Sequence, residues 1–381
     1  MRLVGDWLRH PGTRALFAAL AGAGQQALFV GGCVRNAVLG LPVADIDLAT
    51  DAMPAEVTRI GTAAGFKVVP TGIEHGTVTV IAEGRPHEVT TFRRDLQTDG
   101  RRAVVAFATS IERDAARRDL TMNALYADAE GLVIDPLGVL GDALARRVRF
   151  VGDPGTRIRE DRLRILRFFR FHACYGDQAR GIDPDGLAAC ADFAAGLETI
   201  SRERIGAEMR KLLAAEDPAP TVATMREAGV LCQVLPGADT GALAPLVHLE
   251  AARAPRWQRR LAVLGGLSPE RLLRLSRQDA NILAALHGAI ASPLGPAALG
   301  WIHGAAVGAD AVLARAAVMG QALPANWEAD LARGAAAELP VTAADLMPCH
   351  SGAALGARLK ALEQAWLASD LRLDRAALLA R

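Results

Sequence analysis

The chain has 381 residues, 51% of them hydrophobic, with 43 basic against 42 acidic side chains, a length that exceeds one ordinary core and predicts two to four packed units. No membrane span is expected, and Asp6, Arg9 and His10 interrupt the N-terminus, so no signal peptide is indicated either. The five cysteines are scattered without a C-x-x-C pair, which argues against a disulfide framework or zinc site and for a reduced, cytoplasmic protein.

In chain order, residues 1–140 alternate short β-like runs with helical ones. LFVG, ADIDLAT, FKVVP, GTVTVIAE, PHEVTTFR and NALYADAEGLVIDP are rich in Val, Ile and Thr and punctuated by Gly, Pro and Asp, which predicts strands. Val34 to Leu39 and residues 53–64 read as helices, the second with Pro54 in its first turn. Residues 93–116 are polar, charged and long for a connection, and are expected to form a mobile loop near the site. Beyond residue 141 the pattern is helical. RIREDRLRILRFFRFHACYG carries an apolar stripe through Ile165, Leu166, Phe168, Phe169 and Ala173. SRERIGAEMRKLLAAEDP begins with Ser201 as N-cap, and 219–231, 258–266, 269–291, 298–320 and 353–368 are helix-like between Pro and Gly clusters.

Charge is uneven. Residues 1–140 carry 14 basic and 16 acidic side chains, residues 141–215 carry 14 and 11, and the remainder is neutral. The window 144–170 alone has nine arginines, so a local basic strip points to a polyanionic substrate. The plain alternative is a solvated helix face.

Three constellations carry chemistry. In FVGGCVRNAVLGLPVADIDL, Asp45 and Asp47 alternate with Ile46 and Leu48, so a strand would place both carboxylates on one face. Adjacent carboxylates repel unless a cation sits between them, and the upstream Gly31-Gly32 turn can bring backbone N–H groups to a phosphate. Together they suggest a metal-dependent site for a nucleoside triphosphate, with Glu88 on a neighbouring strand as third carboxylate; an ordinary exposed strand residue is the alternative for Glu88. In RRDLTMN, Arg117 and Arg118 can clamp phosphate oxygens, while Asp119 and Asn123, four apart, share a helix face and can hold ribose hydroxyls; a charged helix start is the alternative. In EDRLR, Asp161 and Arg164 are three apart and project together. An acceptor beside a donor matches cytosine and adenine and rejects uracil and guanine; an intrahelical salt bridge is the commoner fate of such a pair. His75 is read as structural, and Trp7, Trp257, Trp301, Trp327 and Trp366 as packing residues.

These constellations, with GIEHGTVTV, HEVTTFRRD, SRERIGAEMRKLL and LGARLKALEQAWLASDLRLDRAALL, resemble the class II tRNA nucleotidyltransferases and bacterial poly(A) polymerases of the polymerase β superfamily, over nearly the whole chain. The resemblance implies an α+β fold: an α/β head with a mixed sheet (1–140), then an all-α neck (141–215), body (216–300) and tail (301–381), the last two binding tRNA. It assigns catalysis to Asp45, Asp47 and Glu88, metal binding to Asp45 and Asp47, and the triphosphate to Gly31, Gly32, Arg35 and Arg118. Asp119 and Asn123 would take the ribose, Asp161 and Arg164 the base, and Arg167 and Arg170 RNA or phosphate. Asn36 departs from the usual Asp, and PCHSG at 348–352 from the usual tail loop.

The implied activity is template-independent addition of C, C and A to the 3′ end of tRNA from CTP and ATP, with two Mg²⁺ ions. The full-length segment 93–116 resembles the element that permits the switch from C to A, and the neutral C-terminal half is unlike the basic extensions of poly(A) polymerases. Poly(A) synthesis, CC addition, a non-catalytic tRNA-binding protein and a small-molecule nucleotidyltransferase stand as alternatives.

Overall fold

The computed structural model describes the chain except residues 74–75, 99–102, 108–109, 252 and 348, and of residues 94–98 and 103–107 the backbone alone. It divides into two compact units, Met1–Ile200 with Ala228–Val230, and Ser201–Glu227 with Leu231–Arg381.

Among the described residues the first unit holds nine strands: β1 (Ala27–Val30), β2 (Asp47–Thr50), β3 (Lys67–Gly72), β4 (Thr77–Ala82), β5 (Arg85–Thr91), β6 (Arg93–Thr98), β7 (Ala103–Phe107), β8 (Tyr126–Ala127) and β9 (Val133–Ile134). Seven form one mixed sheet in the order β3-β4-β5-β2-β1-β8-β9. Within it β2 and β5 run parallel, and the other pairings are antiparallel. Each run expected to be a strand or strand end contains one, although only Asp47–Thr50 of ADIDLAT is strand and NALYADAEGLVIDP holds two short ones, Tyr126–Ala127 and Val133–Ile134.

The helices of this unit are α1 (Asp6–Arg9), α2 (Pro11–Gly22), α3 (Gly32–Val38), α4 (Pro54–Ala63), α5 (Ile111–Ala116), α6 (Leu140–Leu144), α7 (Pro154–Glu160), α8 (Leu163–Tyr175) and α9 (Pro184–Asp192). Period-two alternation splits β1 between two cores. Phe29 meets Trp7 and Phe17, with ring centroids 4.7 and 4.5 Å apart, whereas Leu28 and Val30 join Phe92, Ala115, Tyr126 and Val151. Central strands buried on both faces read as continuous apolar runs, as ALFV does.

The described residues of the segment 93–116 are mostly strand and helix rather than loop; its residues 99–102 and 108–109 lie outside the described residues. β6 and β7 pair as an antiparallel hairpin, followed by α5. The run Ala103-Val104-Val105-Ala106-Phe107 is β-prone, and its strand character was masked by the charges around it.

The second unit is helical throughout the described residues. Helix Pro296–Met319 is long and apolar enough to cross a membrane, but more than half of its most apolar window is buried in the protein. Gly304 leaves helical geometry within it (φ 73°), a conformation that costs glycine little. Trp301 and Trp366 meet edge to face at 5.7 Å. Trp7, Trp327 and Trp366 are buried, and Trp257 and Trp301 half-buried. The expected helix 269–291 is instead two, Pro269–Leu272 and Arg277–Ala291.

A buried ionic network ties this unit together. Arg260 pairs with Glu250 at 2.7 Å, and Arg259 pairs with Glu250 at 2.6 Å and Asp310 at 2.8 Å. Arg260 also donates to the carbonyls of Leu213 (2.8 Å), Ala215 and Glu216 (2.9 Å). It thereby satisfies orphan acceptors beyond the C-terminus of helix Arg202–Leu213, and it is 1% exposed. Removing one partner of such a pair strands a buried charge. Arg260→Ala should therefore lower unfolding free energy by about 3–5 kcal/mol; denaturant melts check this, and a loss below about 1 kcal/mol would refute a structural role for the network.

Candidate active site

The sheet order puts carboxylates on neighbouring strands. In the parallel β2–β5 pair, Asp47 stands opposite Glu88. β2 begins at Asp47, so Asp45 lies in the irregular segment before the strand rather than on it. The reason is β1: it ends at Val30 and turns away at Gly31, which leaves the residues before Asp47 no ladder partner on that side. The expectation of two carboxylates on one strand face is corrected, while Asp45 still lies within the electrostatic field of Asp47.

Burial, then Glu88 and then Asp45 push the Asp47 carboxyl up to about 6, against the pull of Arg118 and Arg35. Asp45, Asp47 and Glu88 line a cleft of about 670 Å³ with His10, Thr79 and Arg85. Among the described residues no three His, Cys, Asp or Glu side chains are close enough together to enclose one ion. The donor chemistry nevertheless suits a hard divalent cation, being all carboxylate and mutually repelling.

Two arginines, Arg118 and Arg35, act on this edge through their pull on Asp47. Gly31 (φ 69°, ψ −119°) makes the turn from β1 into α3, and positive φ explains glycine there. Arg35 on α3 is 7% exposed. It donates to Asn123 Oδ1 (2.7 Å), Asn36 Oδ1 (2.8 Å) and Tyr175 Oη (3.0 Å), and lies 4.1 Å over the Tyr175 ring. Asn36 is thus a neutral partner where a carboxylate would be charged, and its own Nδ2 donates to the carbonyl of Pro42.

Arg118 is positioned by Asp114. The Asp114 carboxylate accepts from Arg117 (2.9 Å), Arg118 (2.9 Å) and the Tyr126 hydroxyl (2.6 Å). Burial alone would raise this carboxyl, but Arg118, Arg117 and Tyr126 hold it well below the usual range. Sequence reasoning passed over Asp114; the available signal was an acid three and four residues before the arginine pair.

Asp119 and Asn123 do meet, at 3.0 Å. A short 3₁₀ turn at Thr121–Asn123 brings them together rather than the expected helix face. Asp119 also accepts from Arg167 Nε at 2.6 Å. Burial opposes ionisation of Asp119, but Arg167 and Asn123 outweigh it and its pKa is lowered.

The stretch 154–175 is two helices. Asp161 is extended (φ −152°, ψ 109°) between α7 and α8, so the i, i+3 argument for Asp161 and Arg164 does not apply. The Asp161 carboxylate instead accepts from Leu163 N (3.0 Å) at the start of α8, a local competition with helix continuation. Arg164 donates to Glu160 at 2.5 Å and to the carbonyls of Arg157 and Arg117. Glu160 also pairs with Arg157 at 2.6 Å, so it positions both. Arg164, Arg167 and Arg170 recur every three residues on α8, opposite a buried face that includes Phe168 and Phe169. Arg170 lies 4.5 Å from the Phe171 ring. His75 lies outside the described residues.

A strand-borne carboxylate edge, a Gly-Gly turn and a facing arginine layer define a nucleotidyltransferase head. Residues 27–149 match a family described as the poly A polymerase head domain, and residues 181–241 one described as a probable RNA and SrmB-binding site of polymerase A. The chain is similar to the CCA-adding enzyme of Limosilactobacillus fermentum, 44% identical over 202 residues that cover 52% of this chain and 49% of the relative. It is similar also to human mitochondrial CCA tRNA nucleotidyltransferase 1, 39% identical over 53% of this chain and 47% of the relative. These alignments span about half the length of each relative. A crystal structure of the Bacillus stearothermophilus CCA-adding enzyme in complex with CTP superposes over 97% of this chain and 96% of its own, with 30% identity and a TM-score of 0.77. The chain belongs to the tRNA nucleotidyltransferase and poly(A) polymerase family.

The raised pKa of Asp47 has a measurable sign. Its native carboxyl holds a proton more tightly than the unfolded chain does, so its ionisation destabilises the fold as pH rises from about 4 to about 6. In chelator, Asp47→Asn should melt higher than wild type at pH 8, and the gap should close below pH 4. A gap of equal size at both pH values would refute the carboxylate repulsion.

Proposed function

We propose that this protein is a template-independent CCA-adding nucleotidyltransferase, joining C, C and A in turn to the 3′ end of tRNA from CTP and ATP. The observation that carries the reading is the β2–β5 register, which sets Asp47 opposite Glu88 beside the arginines that would meet a triphosphate. The RNA 3′-hydroxyl attacks the α-phosphorus, the bond to the bridging oxygen breaks, and pyrophosphate leaves. Asp45 and Asp47, with Glu88, would hold two Mg²⁺ ions, whose charge would neutralise the attacking and leaving oxygens. The Gly31-Gly32 turn lies against the phosphates, with Gly32 offering its backbone N–H while that of Gly31 goes to the Leu125 carbonyl at 3.3 Å, and Arg35 and Arg118 offer guanidiniums. Asp119 and Asn123, fixed by Arg167, meet the ribose hydroxyls.

Asp161 and Arg164 read the base. Cytosine and adenine both place an amine donor beside a ring-nitrogen acceptor, which a carboxylate and a guanidinium complement. Uracil and guanine leave those groups unpaired. Glu160 holds the Arg164 guanidinium in place. Arg167 and Arg170 border the phosphate path, and the hairpin β6–β7 is the element for the switch from C to A. Residues 1–140 serve as head, 141–215 as neck, and 216–300 and 301–381 as body and tail for tRNA.

A tRNA transcript ending at the discriminator base tests the reading, with Mg²⁺ and CTP, ATP or both. Three added nucleotides requiring both triphosphates are expected. Two C and no A would make it a CC-adding enzyme, long ATP-only tails a poly(A) polymerase, and no extension would refute catalysis. Asp47→Ala should cut turnover by about 10³-fold with tRNA binding retained, and substantial turnover would overturn the site assignment. Arg164→Ala should erode discrimination against UTP and GTP by about 10- to 100-fold; unchanged selectivity would remove it from base reading.

A further inference from the structure

Away from the carboxylate edge, four arginines converge on a second cleft of about 450 Å³ in the first unit. Arg146, Arg147 and Arg149 reach it from the segment after α6, and Arg180 from the segment before α9. Their side chains are exposed, Arg147 and Arg180 by 50% and 63%. The acids nearby hold them loosely. Asp142 stands 3.6 Å from Arg147 and 3.7 Å from Arg149, and Asp183 stands 3.6 Å from Arg149. These distances exceed a direct hydrogen bond. The Asp183 carboxylate is committed to Gly186 N at 2.9 Å. Arg180 pairs more closely with Asp177, at 3.0 Å, but that pair is exposed and exchanges easily. Arg146 has a left-handed backbone (φ 50°), which is uncommon for a residue with a side chain.

The frame of this cleft is shared with the nucleotide residues. Thr121 N donates to the Arg149 carbonyl at 2.9 Å, and Val151 N to the Asp119 carbonyl at 3.1 Å. Asp177 N donates to the Arg146 carbonyl at 3.0 Å, two residues beyond the Tyr175 that contacts Arg35. The two segments that build the cleft are thus continuous with those that carry Asp119 and the Arg35 stack.

We propose that Arg146, Arg147, Arg149 and Arg180 form a docking cleft for consecutive phosphates of the RNA backbone, separate from the triphosphate site. Guanidinium forks suit phosphate oxygens. Four of them spread along an open cleft match a chain of phosphates, whereas a nucleotide would be taken by the Arg35 and Arg118 layer. The inference rests on the proposed RNA substrate and adds where its backbone is held.

The test uses the full chain and the tRNA transcript. Arg147→Ala/Arg180→Ala removes one exposed arginine from each segment of the cleft and should leave the melting temperature unchanged. The RNA Kd should weaken about tenfold near physiological salt, and the slope of log Kd against log salt should fall by about 1 per lost contact. KM for CTP at saturating RNA should be unchanged, and Arg147→Lys/Arg180→Lys should recover most of the salt slope. Unchanged Kd and slope in a double variant of an otherwise active enzyme would overturn this inference alone. A rise in CTP KM with RNA binding intact would overturn it in favour of a nucleotide site. If the wild-type chain neither binds nor extends RNA, the proposed function fails and this inference with it.

Discussion

Carboxylate repulsion across two parallel strands is the constraint around which the first unit is arranged. The pairing of β2 with β5 sets Asp47 opposite Glu88, and partial burial removes much of the water that would screen them. The cost is held in place by the strands themselves, since shifting the register by one residue would turn every side chain of β2 to the other face and exchange the two buried sides that Leu48 and Ala49 fill. A site built on strands in the middle of a sheet cannot relax away from its own repulsion. It keeps an affinity for positive charge, and the facing arginines Arg35 and Arg118 supply part of it.

Those arginines are themselves held. Asp114 fixes Arg117 and Arg118, Tyr175 and Asn123 fix Arg35, and Asp119 fixes Arg167. Each guanidinium has several donors in a rigid fork, so one acid or carbonyl can orient it while other donors stay available for phosphate. Helix α8 links these groups. Its buried aromatic face secures it to the unit, where Phe168 stacks on Phe150 at 5.1 Å, and its arginine face meets the Asp119 segment. Preorganisation of this kind lowers the reorganisation needed when charge develops during reaction.

The second unit meets the same problem of buried charge with the opposite outcome. Arg259, Arg260, Glu250 and Asp310 are almost fully buried, but they are paired with one another and with backbone carbonyls, so little field is left over. Buried pairs seldom add net stability over apolar packing, whereas breaking one is costly. The network therefore fixes which helices meet more than it strengthens the unit.

Much of this was legible in the sequence, for reasons that differ by element. ALFV, TVTVIA and the helices after residue 200 declare themselves through periodicity, because burial on one face or both imposes a repeat on the residues. The Gly-Gly turn and the pairing of Asp47 with a later carboxylate were also legible, since few other arrangements explain acids among apolar strand residues. Several local readings failed where a tertiary or capping contact overrode spacing. Asp45 fell off the strand because β1 turns away. Asp161 broke the helix because its carboxylate caps the next one, and Glu160 took Arg164. Residues 93–98 and 103–107 pair as strands although their charged surroundings resembled a loop. The sequence by itself determined which residues are apolar, which are charged and at what period they recur. Only the tertiary structure decided which acid meets which arginine, because those partners are chosen by strand order and helix breaks, and a side chain's own spacing along the chain carries no record of either.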